Sequence, residues 1–125
     1  MPVTKPTPVQ VPGPGGKTIR EHVGHVATGT AGVSVAHMVA PPGWHEPAQT
    51  PAFDEVTVVL RGTMRVEHGD GSGGRTFTDV GPGETVLVTA GERVRYLNPS
   101  VTEGSEYWAV CTPAFAPATV NREAE

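Results

Sequence analysis

The chain has 125 residues, with 9 Lys/Arg against 13 Asp/Glu and a net charge of −4. A length of this order fits one domain able to bury roughly two-thirds of its unfolded surface, and scattered basic residues in an acidic chain exclude nucleic acid and anionic membrane as primary partners. One cysteine, Cys111, excludes an internal disulfide; with no basic-then-apolar leader and no apolar run near the ~18 residues of a bilayer span, the expected location is cytoplasmic.

In chain order, residues 1–16 read MPVTKPTPVQVPGPGG. Proline fixes φ and removes amide donors, so this stretch is predicted to be an extended arm outside the core. Residues 17–116 are expected to form a single domain, and the polar residues 117–125 a peripheral tail. Within the domain, β-friendly runs alternate with turn residues: 33–40, 55–67, 75–80, 84–90, 93–98 and 105–112. Strands of this length, with almost no helical periodicity, predict an all-β sandwich or barrel. Gly62, inside the second run, predicts a bend or bulge.

Two segments carry a family resemblance. Cupin motifs are written G-x5-H-x-H-x3-E-x6-G and G-x5-P-x-G-x2-H-x3-N. Laid from Gly43, the first places its glutamate at Glu55 and its last glycine at Gly62. Laid from Gly83, the second places its glycine at Gly91 and its asparagine at Asn98. Both fit without insertion, so residues 33–112 resemble a small single-domain cupin. The resemblance is nearest to metal-ligand-poor cupins of the ethanolamine-utilisation type, which also carry a Trp before an Asp-Glu pair and a Tyr in the last strand. It implies a cupin jelly-roll barrel with its site in the open end, and it implies homodimers.

The departures concern chemistry. The three positions that hold metal-binding histidines in the family are Gln49, Pro51 and Val94 here. Imidazole supplies most of the affinity for iron, nickel or zinc, and a hard ion would want six or more oxygens. The expectation is therefore a site with no metal and no cofactor. The remaining histidines offer only an irregular alternative, with His37, His45 and Glu55 as its ligands.

Side-chain alternation then sorts the strands. If Glu55 faces inward, so do Thr57 and Val59, while Val56, Val58 and Leu60 face outward. A strand apolar on both faces needs a cover on each, so a second subunit is expected over the outer one, or else the N-terminal arm. Val94 and Tyr96 point inward, Arg93 and Arg95 outward. On the last strand, Tyr107, Ala109 and Cys111 share one face; analogy with the related cupins puts Tyr107 in the cavity. His37 shares parity with Val33, Val35 and Val39 and is expected to point inward. His45 and Trp44 lie in the PPGWHEP loop at the expected mouth.

Glu55, Tyr96 and His45 are the candidate catalytic residues; Gln49, Tyr107, Trp44 and His37 the candidate substrate contacts. An enclosed carboxyl without a metal partner should titrate high, which suits acid–base work near neutrality. Three readings follow: a metal-independent isomerase, cyclase or lyase acting by proton transfer on a small molecule; a non-catalytic small-ligand-binding protein; or a dioxygenase-like metal enzyme with irregular ligands. The chain has no phosphate-binding Walker loop and no Gly-x-Ser-x-Gly elbow.

Overall fold

A computed structural model describes residues 2–124. The runs rich in Val, Thr and aromatic residues pair as antiparallel strands, and Gly or Pro ends most of them. The strands are β1 (Val9–Val11), β2 (Thr18–Val23), β3 (Ser34–Ala40), β4 (Asp54–Arg61), β5 (Met64–Gly69), β6 (Arg75–Val80), β7 (Thr85–Val88), β8 (Arg95–Leu97) and β9 (Ser105–Thr112); one short helix, α1 (Pro117–Val120), follows. Six strands form one sheet in the order β1-β2-β3-β9-β4-β7, and three form a second in the order β6-β5-β8. The core lies between them: Val59 and Tyr107 of the large sheet share one buried cluster with Met64, Val66 and Tyr96 of the small one. No helix among the described residues is long and apolar enough to cross a membrane.

The run 55–67 becomes two strands because the chain turns at Gly62. This residue has φ 74°, and a Cβ there would lie 2.5 Å from the Gly104 carbonyl oxygen, so only glycine fits without strain. β4 presents Thr57 and Val59 to the core and leaves Leu60 46% exposed, as alternation predicts. β9 turns Tyr107, Ala109 and Cys111 inward and leaves Trp108 half-buried on the outer face.

Two terminal assignments need correction. Residues 9–16 are part of the domain: Val9–Val11 pair with β2, and Pro14–Gly16 form a 3₁₀ turn. Proline is compatible with an edge strand and with the start of a helical turn, so the composition allowed what was read as a detached arm. The tail is also built in. Val120 of α1 is buried, and Gln49 bridges to Arg122.

Candidate functional site

A cavity of about 60 Å³ opens between the sheets, against the inner faces of β3, β4 and β9. That space holds about four to six waters at roughly 10–15 Å³ each, and so fits only a few non-hydrogen ligand atoms. β4 delivers Glu55, whose neighbours across the ladder are Val88 and Cys111. β8 delivers Tyr96 and β9 delivers Tyr107, both almost fully buried. Gln49 is fixed by a reciprocal backbone pair, its N–H donating to the Val94 carbonyl and its carbonyl accepting from Val94 N–H. Gln49, Glu55, Tyr96 and Tyr107 all line the cavity.

Burial dominates the electrostatics. It raises the Glu55 pKa above the usual carboxyl value, an effect tempered by the Lys17 charge and increased by Glu46. Taking a carboxylate out of water disfavours its charged form. Burial likewise pushes the Tyr96 and Tyr107 hydroxyls well up, so both keep their protons across the physiological range. Tyr96 lies close enough to Glu55 to lower the carboxyl pKa slightly, yet neither its hydroxyl nor that of Tyr107 has a hydrogen-bond partner of good geometry. The Cys111 thiol, also pushed far up by burial, sits 3.7 Å from Glu55 Oε2 and is no nucleophile in that state.

Four charged side chains in this cavity, Lys17, Glu21, Glu46 and Arg122, lie outside the candidates drawn from the sequence. Lys17, just before β2, is 7% exposed at its side chain and lies 4.0 Å from Glu46 Oε2. Its ammonium end sits 4.3 Å above the Trp44 ring centre. Arg122 Nη2 reaches Glu46 Oε2 at 3.4 Å, and its Nε is buried without a partner. Glu46 itself is 2% exposed. One signal for Lys17 was legible, since the alternation of KTIREHV puts it in phase with Ile19 and Glu21, which also line the cavity. Glu46 and Arg122 come from a loop and the tail, where periodicity says nothing.

Other candidates fall elsewhere. His37 points outward, contrary to expectation, because Ser34, Ala36 and Met38 take the inner positions of β3. Its Nε2 meets Glu106 Oε2 at 2.6 Å, and its ring packs edge-on to Trp108. His45 is exposed and borders a separate depression on the outer side of the loop. Trp44 is 3% exposed and belongs to the core cluster; its indole N–H donates to the Pro14 carbonyl at 2.6 Å. It forms structure behind Lys17 and does not line the cavity.

The three-histidine, one-glutamate metal set of the fold family does not fit these residues. Among the described residues no three His, Cys, Asp or Glu side chains gather to hold an ion. His37 and His45 both lie outside the cavity, so the irregular set His37, His45 and Glu55 does not assemble.

The backbone half of both motifs persists. Gly83 and Gly91 hold positive φ. Asn98 is buried, donates to the Pro41 and Glu103 carbonyls and accepts from Ser100 N–H. It ties the loop after β8 to the loop after β3.

Comparison with known proteins bears on the fold. No protein-family model matches the chain. A Myxococcus xanthus protein named endoribonuclease YbeY is 47% identical over 116 residues, which is 90% of this chain but 36% of that protein. A structure of oxalate decarboxylase from Bacillus subtilis superposes with a TM-score of 0.77 at 19% identity, and a second oxalate decarboxylase structure with 0.75 at 20%. They cover 96% and 95% of this chain, which spans 31% of each. The chain thus corresponds to about a third of these proteins. At such identity the structural likeness concerns the fold, and the fold is that of the cupins.

Proposed function

We propose that the chain is a small-molecule cupin that moves protons without a metal, in the manner of an isomerase, cyclase or lyase. The observation that carries this reading is the Glu55 carboxyl beside the cavity, its pKa raised by burial, with the buried Tyr96 hydroxyl near it and the buried Tyr107 hydroxyl without a hydrogen-bond partner. A carboxyl tuned upward can hold or take a proton near neutrality. Tyr96 and Tyr107, fixed in their protonated forms, would donate to an oxygen on which negative charge develops. Gln49, 3.5 Å from Arg122 through its Oε1, would orient a carbonyl or hydroxyl.

The test is solvent-deuterium exchange into small carbonyl compounds by the purified, metal-analysed protein. Glu55→Gln should reduce exchange by about 10²–10⁴-fold, the usual scale of a positioned acid–base group, and EDTA should leave it unchanged. Exchange unaffected by the substitution would defeat the reading.

The second reading is a ligand-binding protein without turnover. The buried Tyr107 hydroxyl and Arg122 Nε, which make no hydrogen bond, favour it equally as a recognition surface. Saturable binding of a ligand recovered unaltered would select it.

The ribonuclease named in the Myxococcus protein is not carried over. This chain matches only 36% of that protein's length. Arg61, Arg65, Arg93, Arg95 and Arg122 are each engaged by a carboxylate, so they offer little free charge to a phosphate backbone.

A homodimer through the outer face of the large sheet belongs to the same proposal. Leu60 and Leu87 are 46% and 58% exposed there, Val56, Val58 and Trp108 are half-buried, and the N-terminal arm lies against the cavity instead of covering them. Sedimentation of the parent and of Leu87→Lys checks it, with a dimer expected only for the parent.

A further inference from the structure

The cavity contains one group that the acid–base reading leaves without a task. Lys17 lines the same space as Glu55 and both tyrosines. Its ion-pair contact with Glu46 is 4.0 Å long, too long for a hydrogen bond. The indole of Trp44 and the ring of Tyr107 flank it at 4.3 and 5.8 Å, so its immediate walls are aromatic. A structural salt bridge would hold the ammonium head closer to its carboxylate. Instead, Arg122 takes the shorter contact with Glu46 at 3.4 Å.

We propose that Lys17 is a nucleophilic amine that captures a small aldehyde or ketone in this cavity as an imine. Desolvation in apolar surroundings is one of the ways a lysine becomes nucleophilic near neutral pH, and burial lowers the Lys17 pKa despite the opposing charges of Glu46 and Glu55. The ligand is a short carbonyl compound with at least one further oxygen. The volume admits only a few non-hydrogen atoms, and the unpartnered Arg122 Nε and tyrosine hydroxyls offer donors for that oxygen.

The chemistry balances with groups on hand. The neutral amine attacks the carbonyl carbon; a C–N bond forms, the π electrons move to the oxygen, and the proton the nitrogen gives up passes to that oxygen to give a carbinolamine. The C–O bond then breaks as the Glu55 carboxyl supplies a proton, releasing water and leaving a protonated imine beside the Glu55 carboxylate. That carboxylate can remove the α-proton to give an enamine and regain its own proton. The Glu55 steps rest on the acid–base reading above; the capture by Lys17 does not.

The chain has two lysines, and the other, Lys5, is exposed, so each molecule carries its own control. The full-length protein would be treated with glycolaldehyde or pyruvate and sodium borohydride, then mapped by peptide mass spectrometry. Expected is a reduced adduct at Lys17 exceeding that at Lys5 by about tenfold, the ratio in free amine that one pKa unit of difference gives. Labelling of Lys5 equal to or above Lys17 with both probes would overturn the proposal. The two readings fail separately. Deuterium exchange that continues with Lys17 unlabelled removes the amine and keeps Glu55. An adduct at Lys17 with exchange unaltered in Glu55→Gln removes Glu55 and keeps the amine.

Discussion

The cavity has two walls of different origin. One comes from the motif strands and their connecting loop: Gln49, Glu55, Thr57 and Tyr96. The other comes from the ends of the chain: Val11 and Pro14 of the first segment, Lys17 before β2, and Arg122 beyond α1. The motif wall contributes two carboxyls, Glu46 and Glu55, and neutral hydrogen-bonding groups. The terminal wall contributes both positive charges. In this cupin fold, without its usual histidines, the charge that faces Glu46 and Glu55 is therefore supplied by segments that the motifs do not include. The lesson is that a site can retain its frame and take its electrostatics from elsewhere in the chain.

That contrast can be broken from either side. The largest effect is expected from removing residues 2–16. This deletes β1, the Pro14 acceptor of Trp44 and one side of the cavity, at a cost of about 3 kcal/mol or more in burial and hydrogen bonding. Removing only residues 2–7, all exposed, should leave the urea midpoint within error of the parent. If both truncations unfold alike, the terminal wall is not a discrete unit.

On the motif side, Asn98→Ala should cost about 1–3 kcal/mol, because three backbone groups in two loops lose their partner. Arg122→Met should cost about 1–2 kcal/mol by leaving Glu46 with only the long Lys17 contact, a figure reduced by the partial exposure of the arginine. It should also weaken ligand binding more than it weakens folding, which titration calorimetry against denaturation would separate.

The smallest stability change is one of sign. Glu55 has a folded pKa raised above its ordinary 4.5. The unfolded chain thus releases this proton first, and stability present at low pH is progressively lost as pH rises from about 4.5 through the folded value. Glu55→Gln removes that loss. Its melting temperature should exceed the parent's at pH 8 and approach it at pH 4. A parent curve that gains stability over this interval relative to the variant would show Glu55 to be charge-stabilised instead.

Much of the frame was legible from spacing. The limits of 75–80 and 105–112 match β6 and β9, because clear turn residues bound them. The inward set Glu55, Thr57 and Val59 follows from a period of two once one member is placed. Tyr96 followed from the same rule. His37 did not, because parity gives two alternatives and the neighbouring residues Val35 and Val39 are as apolar as Ala36 and Met38. Nothing local decides which set the second sheet covers. β1 and β2 were missed for a related reason. Proline and charged residues lower β propensity, and it is pairing with β3, not local preference, that extends Thr18–Val23.

The sequence by itself determined the strand punctuation, the positions at which glycine must take positive φ, and the replacement of the imidazole ligands by Gln49, Pro51 and Val94. Those are local properties, set by backbone sterics and side-chain chemistry. Only the tertiary structure decided which face of β3 is covered, that both termini close the cavity, and that Lys17, Glu46, Glu55 and Arg122 meet. These depend on contacts between residues up to a hundred positions apart, and the pKa of each group is set by the burial that those contacts create.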